Sequence, residues 1–261
     1  MKFNEFKDQA AKILDINLSG YKIKRVKRRT DSLMRRLEIK NYEQCLSLLK
    51  NDPKFKAAYL DHFTINTSEF FRNPDNFKYL EEKVLPELFS RNKNLKIWSA
   101  PCSNGSEPYT LSIIMNKGKY KKENYQILAS DLDVNILAAA KNGIYNSNAV
   151  QNVPEEILDT YFTEINEMGK KYRLNQEIKN NVIFEKKDLI NEPFKKGWDL
   201  ILSRNFFIYL TNDIKEELTH KFSEALNPGA YLFLGNTEFI FSPQDYGLEK
   251  IFSSFYRKKN K

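Results

Sequence analysis

Leu95-Lys-Ile-Trp-Ser-Ala-Pro-Cys-Ser-Asn-Gly-Ser-Glu-Pro-Tyr109 reads as a strand, a tight turn and the opening of a helix. The apolar run Leu95, Ile97 and Trp98 breaks into small residues from Ser99 to Ser106. Glu107-Pro108 then starts a helical pattern carrying Leu111, Ile113, Ile114 and Met115. That order is found where a nucleoside-type ligand sits over the carboxyl end of the first strand of an open α/β sheet. A second apolar strand, Tyr125-Gln-Ile-Leu-Ala-Ser130, ends in Asp131-Leu-Asp133, where an acidic side chain can accept both hydroxyls of a ribose.

Outward from that stretch, 261 residues at 41% hydrophobic content suit one large domain or two modest ones with a real core. No apolar run approaches the ~20 residues of a membrane span. Met1-Lys-Phe-Asn-Glu5 leads into polar residues rather than a signal-peptide core, so the expected compartment is the cytoplasm. Cys45 and Cys102 offer neither a disulfide framework nor zinc spacing. Only His62 and His220 could serve as imidazole ligands, so no metal is expected.

The chain before Leu95 carries helical periodicity and no strand alternation. Asn4–Leu14, Tyr21–Leu37, Tyr42–Leu49 and Pro53–Phe63 are the expected helices, with Pro53 placed where a first turn accepts proline. Lys22 to Arg36 holds eight Lys or Arg against the single acid Asp31. The plain reading is a solvated face. The functional reading is a docking surface for an acidic partner, because clustered like charges focus a potential and speed encounter. No zinc-finger, RNP-like or stacked-aromatic pattern supports nucleic acid, and none is expected as a partner. Asn66-Thr-Ser-Glu-Phe-Phe-Arg72 then links the helices to the sheet. Either Arg72 reaches back as an anion clamp, or Phe70 and Phe71 pack the two domains together while Arg72 caps a carbonyl.

A helix is expected over Asp75–Ser90, and another over Asn135–Lys141 ending at Gly143. Residues 145–183 interrupt the α/β rhythm. A short helix (Pro154–Phe162), a turn near Met168-Gly169 and the strand-like pieces Lys171–Leu174 and Asn181–Glu185 read as a small inserted β subdomain. Trp198–Ser203 is a buried parallel strand running into Arg204-Asn-Phe-Phe-Ile-Tyr209. A helix over Thr211–Leu226, a strand over Ala230–Leu234 and a final strand near Phe255–Arg257 complete the reading.

Five ordered motifs, Asn66–Arg72, Ile97–Tyr109, Ala129–Asp133, Arg204–Tyr209 and Gly235-Asn-Thr-Glu238, resemble those of the chemotaxis receptor methyltransferases, the CheR family. The resemblance covers nearly the whole chain. It implies an α/β, doubly wound Rossmann-like methyltransferase sheet over residues 93–261, with the small β subdomain at 145–183 inserted in it. An all-α N-terminal domain over 1–65 with a basic docking helix precedes it, joined by a linker and connecting helix over 66–92. It further implies an S-adenosylmethionine-dependent protein-glutamate O-methyltransferase that releases S-adenosylhomocysteine and acts on cytoplasmic helices of chemoreceptors. A monomer is the default.

The resemblance also implies roles. Asn66, Ser68 and Arg72 approach the cofactor from the linker, with Arg72 near the reacting methyl. Glu107 accepts from the cofactor's amino group, Asp131 holds the ribose, and Asp188 and Leu189 lie beside the adenine. Arg204 and Asn205, at the end of the fourth strand of the sheet, bind the cofactor, and Tyr209 orients the incoming glutamate. Lys24, Arg25, Arg28, Arg29 and Arg36 dock the receptor. Pro101 and Ser106 stand where the family usually has a small residue and an acid, and Asp188 stands where it usually has Asn. A proline at 101 would weaken binding if that position needed positive φ. Two functions follow: an active receptor methyltransferase, or a non-catalytic receptor-binding or cofactor-sensing protein on the same fold.

Overall fold

The computed structural model describes residues 1–63, 68–166 and 169–260. Four helices come first: α1 (Phe3–Leu14), α2 (Ile23–Arg36), α3 (Tyr42–Asn51) and α4 (Pro53–Phe63). Their apolar stripes meet in a core of their own that includes Phe6, Leu18, Val26, Leu33, Cys45 and Leu49. The expected second helix begins two residues late. Tyr21 is extended and forms an antiparallel bridge with Leu210, far along the chain.

The helix expected over Asp75–Ser90 is present in three pieces. α5 (Pro74–Tyr79) and α6 (Leu85–Arg91) flank a wide turn at Leu80–Val84, where the Leu85 N–H reaches back to the Leu80 carbonyl. The wide turn stands immediately before Pro86, whose nitrogen has no proton to donate.

The sheet domain then follows as β1 (Leu95–Ser99), α7 (Ser106–Lys117), β2 (Tyr125–Asp131), α8 (Val134–Asn142), β3 (Ile144–Asn146), α9 (Glu155–Tyr161), β4 (Phe162–Ile165), β5 (Lys171–Leu174), α10 (Gln176–Lys179) and β6 (Val182–Lys186). It continues with β7 (Trp198–Ser203), α11 (Asn212–Ala225), β8 (Leu226–Leu234), β9 (Leu248–Phe252) and β10 (Phe255–Lys258). Seven strands form one sheet in the order β6-β2-β1-β7-β8-β10-β9. β6, β2, β1, β7 and β8 run parallel, and β10 is antiparallel to both β8 and β9. β3, β5 and β4 form a separate antiparallel sheet.

Two expectations need correction. Asn181–Glu185 was expected in the insert, but Val182–Lys186 is the parallel edge strand beside β2. Only Val182 is buried there, and Ile183 in the run Val182-Ile-Phe184 is 51% exposed, as on a sheet edge. Phe255–Arg257 does not form the sheet edge. β9, with only Leu248 buried, lies outside it. The turn expected at Met168-Gly169 falls partly outside the described residues.

β1 shows how the sheet is covered on both faces. Ile97 packs under α7 with Leu111 and Ile114, while Trp98 faces Phe222 of α11. The carboxyl ends of β1, β2 and β7 therefore open between two packed layers, and the helical domain is docked beside that opening. Its contact with the sheet domain includes main-chain bonds. The Lys22 N–H donates to the Tyr209 carbonyl at 2.9 Å and the Thr211 N–H to the Gly20 carbonyl at 2.9 Å. The Lys22 ammonium adds a bond to the Ile208 carbonyl at 3.1 Å, and the Tyr21 ring sits edge-on to Phe206 with centroids 6.4 Å apart.

Candidate active site

A cavity of about 170 Å³ lies at the carboxyl edge of β1, β2 and β7, closed on the other side by α2 and the end of α4. Its floor is the loop after β1. The Ala100 N–H bonds the Leu202 carbonyl and the Cys102 N–H the Ser130 carbonyl, so this loop is sewn to both neighbouring strands. The left-handed positions are Ser103 (φ 49°) and Gly105 (φ 83°), and Pro101 is not one of them. A side chain at Gly105 would meet the Ala140 methyl at 2.9 Å, so glycine is required there. Ser106, in the place of the family's acid, is fully buried at the start of α7 and leaves no room for an exposed carboxylate.

The two acids at the end of β2 have different occupations. Asp133 caps α8, accepting from the Asn135 and Ile136 N–H groups. Asp131 lines the cavity, accepts from the Ser103 N–H at 2.8 Å and from the Asp133 N–H at 3.1 Å, and is 5% exposed. Burial pushes its carboxyl up to about 6, against the pull of those N–H donors. Each oxygen keeps a lone pair for a further donor, which suits a vicinal diol.

Glu107 and Arg204 form a buried ion pair at 3.1 Å, with side chains 9% and 3% exposed. The other Glu107 oxygen accepts from the Ser99 hydroxyl at 2.8 Å. The Arg204 guanidinium lies between the Phe77 and Phe233 rings and bonds the Arg72 carbonyl at 2.7 Å and Asn73 Oδ1 at 2.8 Å. Arg204 borders the cavity, but its bonds hold the linker in place. Glu107 retains acceptor capacity for an ammonium group.

Arg72 is half-buried, 3.7 Å from Glu69, and lines the cavity, as does Ser68. Phe70 does not pack the domains together; it is enclosed by Tyr145 and Phe162 of the β subdomain. Asn66 lies outside the described residues. Asp188 and Leu189 border the cavity, and the Asp188 carboxylate already accepts from Ile190 N, Asn191 N and Asn191 Nδ2, which closes its own turn. Asn205 has φ 59°, and its N–H donates to Glu238 at 2.7 Å. The same Glu238 oxygen accepts from Gly235 N, which ties the ends of β7 and β8 together. A side chain at Gly235 would strike that carboxylate at 2.6 Å.

The five basic candidates on α2 divide. Lys24, Arg28 and Arg36 are exposed, whereas Arg25 and Arg29 are half-buried and line the cavity. Arg25 lies over the Tyr209 ring at 4.9 Å, and Arg29 donates to the His62 carbonyl. Residues without a role in the sequence reading also reach the site. Tyr21, Phe63 and Phe206 form its aromatic wall. Burial pushes the Tyr21 phenol up, and the negative charges of Asp188 and Asp131 act in the same direction. Glu238 carries the loop geometry. Its position in the fifth motif was the only signal for it. Among the described residues no group of three or more His, Cys, Asp or Glu could hold a metal.

The cavity thus offers a buried carboxylate with spare acceptor sites, a second acid at a helix start, and an aromatic wall, which fits a nucleoside carrying an amino-acid tail. Two family descriptions match the chain: "CheR methyltransferase, SAM binding domain" over residues 66–255 and "CheR methyltransferase, all-alpha domain" over residues 1–64. The chain is 36% identical to a chemotaxis protein methyltransferase of Listeria monocytogenes over 94% of this chain and 92% of that one. It is 30% identical to one of Borreliella burgdorferi over 99% and 96%, and 30% identical to one of Pseudomonas aeruginosa over 94% and 92%. The chain belongs to the CheR methyltransferase family and is a methyltransferase that uses S-adenosylmethionine.

Proposed function

We propose that the protein esterifies glutamate side chains on the cytoplasmic helices of chemoreceptors. The observation that carries this reading is the cationic side of the cavity: Arg25, Arg29 and Arg72 line the same space as the buried Asp131 and Glu107. An anionic acceptor is drawn to such a wall. S-adenosylmethionine, when bound, supplies a methyl carbon activated by its sulfonium. Asp131, Glu107 and the Asp188-Leu189 corner are the residues to hold it.

A glutamate carboxylate is ionised at neutral pH and attacks without losing a proton, so no base or covalent nucleophile is required. One C–O bond forms and one C–S bond breaks. An anion and a cation become a neutral ester and a neutral thioether, and that loss of charge is favoured in a space screened from water. The protein's contribution is alignment, which can be worth about 7–11 kcal/mol in favourable cases. Arg72 and Tyr209 orient the carboxylate. The described cavity presents no catalytic Cys: Cys102 is buried, and its thiol is pushed well up by that burial.

The test is transfer of labelled methyl from S-adenosylmethionine to a chemoreceptor cytoplasmic fragment, scored as base-labile ester. We expect transfer by the wild type and loss with Arg72→Ala. Cofactor binding without transfer to cognate receptors would replace this reading with a cofactor-sensing, non-catalytic one.

A further inference from the structure

Phe241 and Phe239, 79% and 57% exposed, are the two most exposed large apolar side chains among the described residues. Their rings touch edge to face, with centroids 4.8 Å apart. They are presented by an anchored segment. Between them Ile240 is buried in the sheet core and its N–H donates to the Tyr256 hydroxyl at 3.1 Å. Glu238, immediately before them, is fixed by the N–H groups of Gly235, Asn205 and Ile208. The out-in-out alternation therefore holds both rings towards water.

The segment starts on the cavity wall, because Glu238 accepts from the N–H groups of Asn205 and Ile208 and both of these line the cavity. Phe239 and Phe241 follow the carboxyl end of β8, and β7 beside it in register delivers Asn205, Phe206, Ile208 and Tyr209 to the cavity wall. The neighbouring wall is cationic: Arg25 lines the cavity and rests on the Tyr209 ring, and Lys24 and Arg28 are exposed on the same helix. A partner that bridges both sides must be acidic towards α2 and apolar towards β8. An amphipathic helix meets that demand, because side chains three and four residues apart lie about 5–6 Å from one another on one face. Exposed apolar groups that cluster, rather than scatter singly, mark interaction surfaces.

We propose that Phe239 and Phe241 seat an apolar side chain that stands one turn from the acceptor glutamate on the substrate helix. The pair thereby sets which acidic positions of a helix can be methylated. This rests on the methyl-acceptor reading given above.

The experiment compares wild type with the double variant Phe239→Ser/Phe241→Ser, both sites being exposed. KM and direct binding of a receptor cytoplasmic fragment are measured at low and high salt, with S-adenosylhomocysteine affinity and sedimentation velocity as controls. The expected result is a rise of about tenfold or more in KM and Kd for the fragment. That rise persists at high salt, because burial of apolar surface is not screened. Saturated kcat and S-adenosylhomocysteine affinity stay unchanged, and Phe241→Leu recovers most of the loss. Unchanged KM and Kd overturn the proposal, and self-association of the wild type that the variant abolishes assigns the pair to a second copy instead. A wild type that binds the fragment without methylating it defeats the methylation reading alone, and the Kd comparison still decides the role of the phenylalanines. A wild type that neither binds nor methylates defeats both.

Discussion

The two walls of the cavity are held by different forces. On the sheet side, Asp131, Glu107 and Arg204 are buried and bonded to backbone or to each other at 2.7–3.1 Å. On the helical side and the linker, Arg25 rests on a tyrosine ring, Arg29 grips one carbonyl and Arg72 stands 3.7 Å from its acid, all half-exposed. Buried charge networks have few alternative arrangements, because an unpaired member costs several kcal/mol, whereas half-solvated cations can rearrange at little cost. One wall suits a ligand of fixed shape, the other a family of protein surfaces. That division matches a constant cofactor meeting varied substrate helices.

The sharpest way to break the comparison is Glu107→Ala. It leaves Arg204 buried without a counter-charge, and such a change typically costs about 3–5 kcal/mol. Urea unfolding should show that loss, while a cost below about 1 kcal/mol would mean that the sheet wall is as adaptable as the helical one.

Next in size is Asp131. Cofactor hydroxyls bond best to the ionised carboxylate, so binding and protonation compete. Affinity for S-adenosylhomocysteine should therefore be level above the Asp131 value of about 6 and fall with each pH unit below it. Calorimetry across pH 5–8 tests this. Asp131→Asn should weaken binding by about ten- to a hundredfold, since bonds to a charged group are worth ~1.5–3 kcal/mol, and should flatten the pH step.

Smallest is the division within α2. Arg28→Glu should raise KM for receptor several-fold, lose that effect in high salt, and leave the unfolding midpoint unchanged, as expected of an exposed charge. Arg29→Glu should raise KM and also lower stability, because its guanidinium bonds the His62 carbonyl. Equal behaviour of the two would erase the boundary drawn between cavity-lining and outward-facing cations.

Much of the sheet wall was legible because it rests on local pattern. A strand that ends in small residues and an acid places Asp131 by chain geometry alone, and Gly105 marks the turn. The helical wall was less so. Tyr21 sits in a helical register, and only pairing with Leu210 pulls it into extended backbone. The Glu107–Arg204 pair joins residues whose meeting is a tertiary fact, so the sequence offered both as ligand contacts and could not reveal that Arg204 is tied to the linker. β6 was read as a strand but given to the insert, and β9 was not read at all, for a different reason. Edge strands bury one face or less, and here only Val182 and Leu248 are buried, so apolar residues alone do not say which sheet they join.

The Gly20–Lys22 contact with Tyr209–Thr211 bears on how these proteins could be recombined. Family boundaries divide the chain near residue 65, which invites exchange of the helical domain to redirect receptor choice. The physical seam lies elsewhere, in backbone bonds between the residues before α2 and those after β7. A chimera cut at the linker would oppose two half-joints that had never been matched. One that carries residues 206–211 along with the helical domain would transplant the joint whole, and receptor preference should move with it.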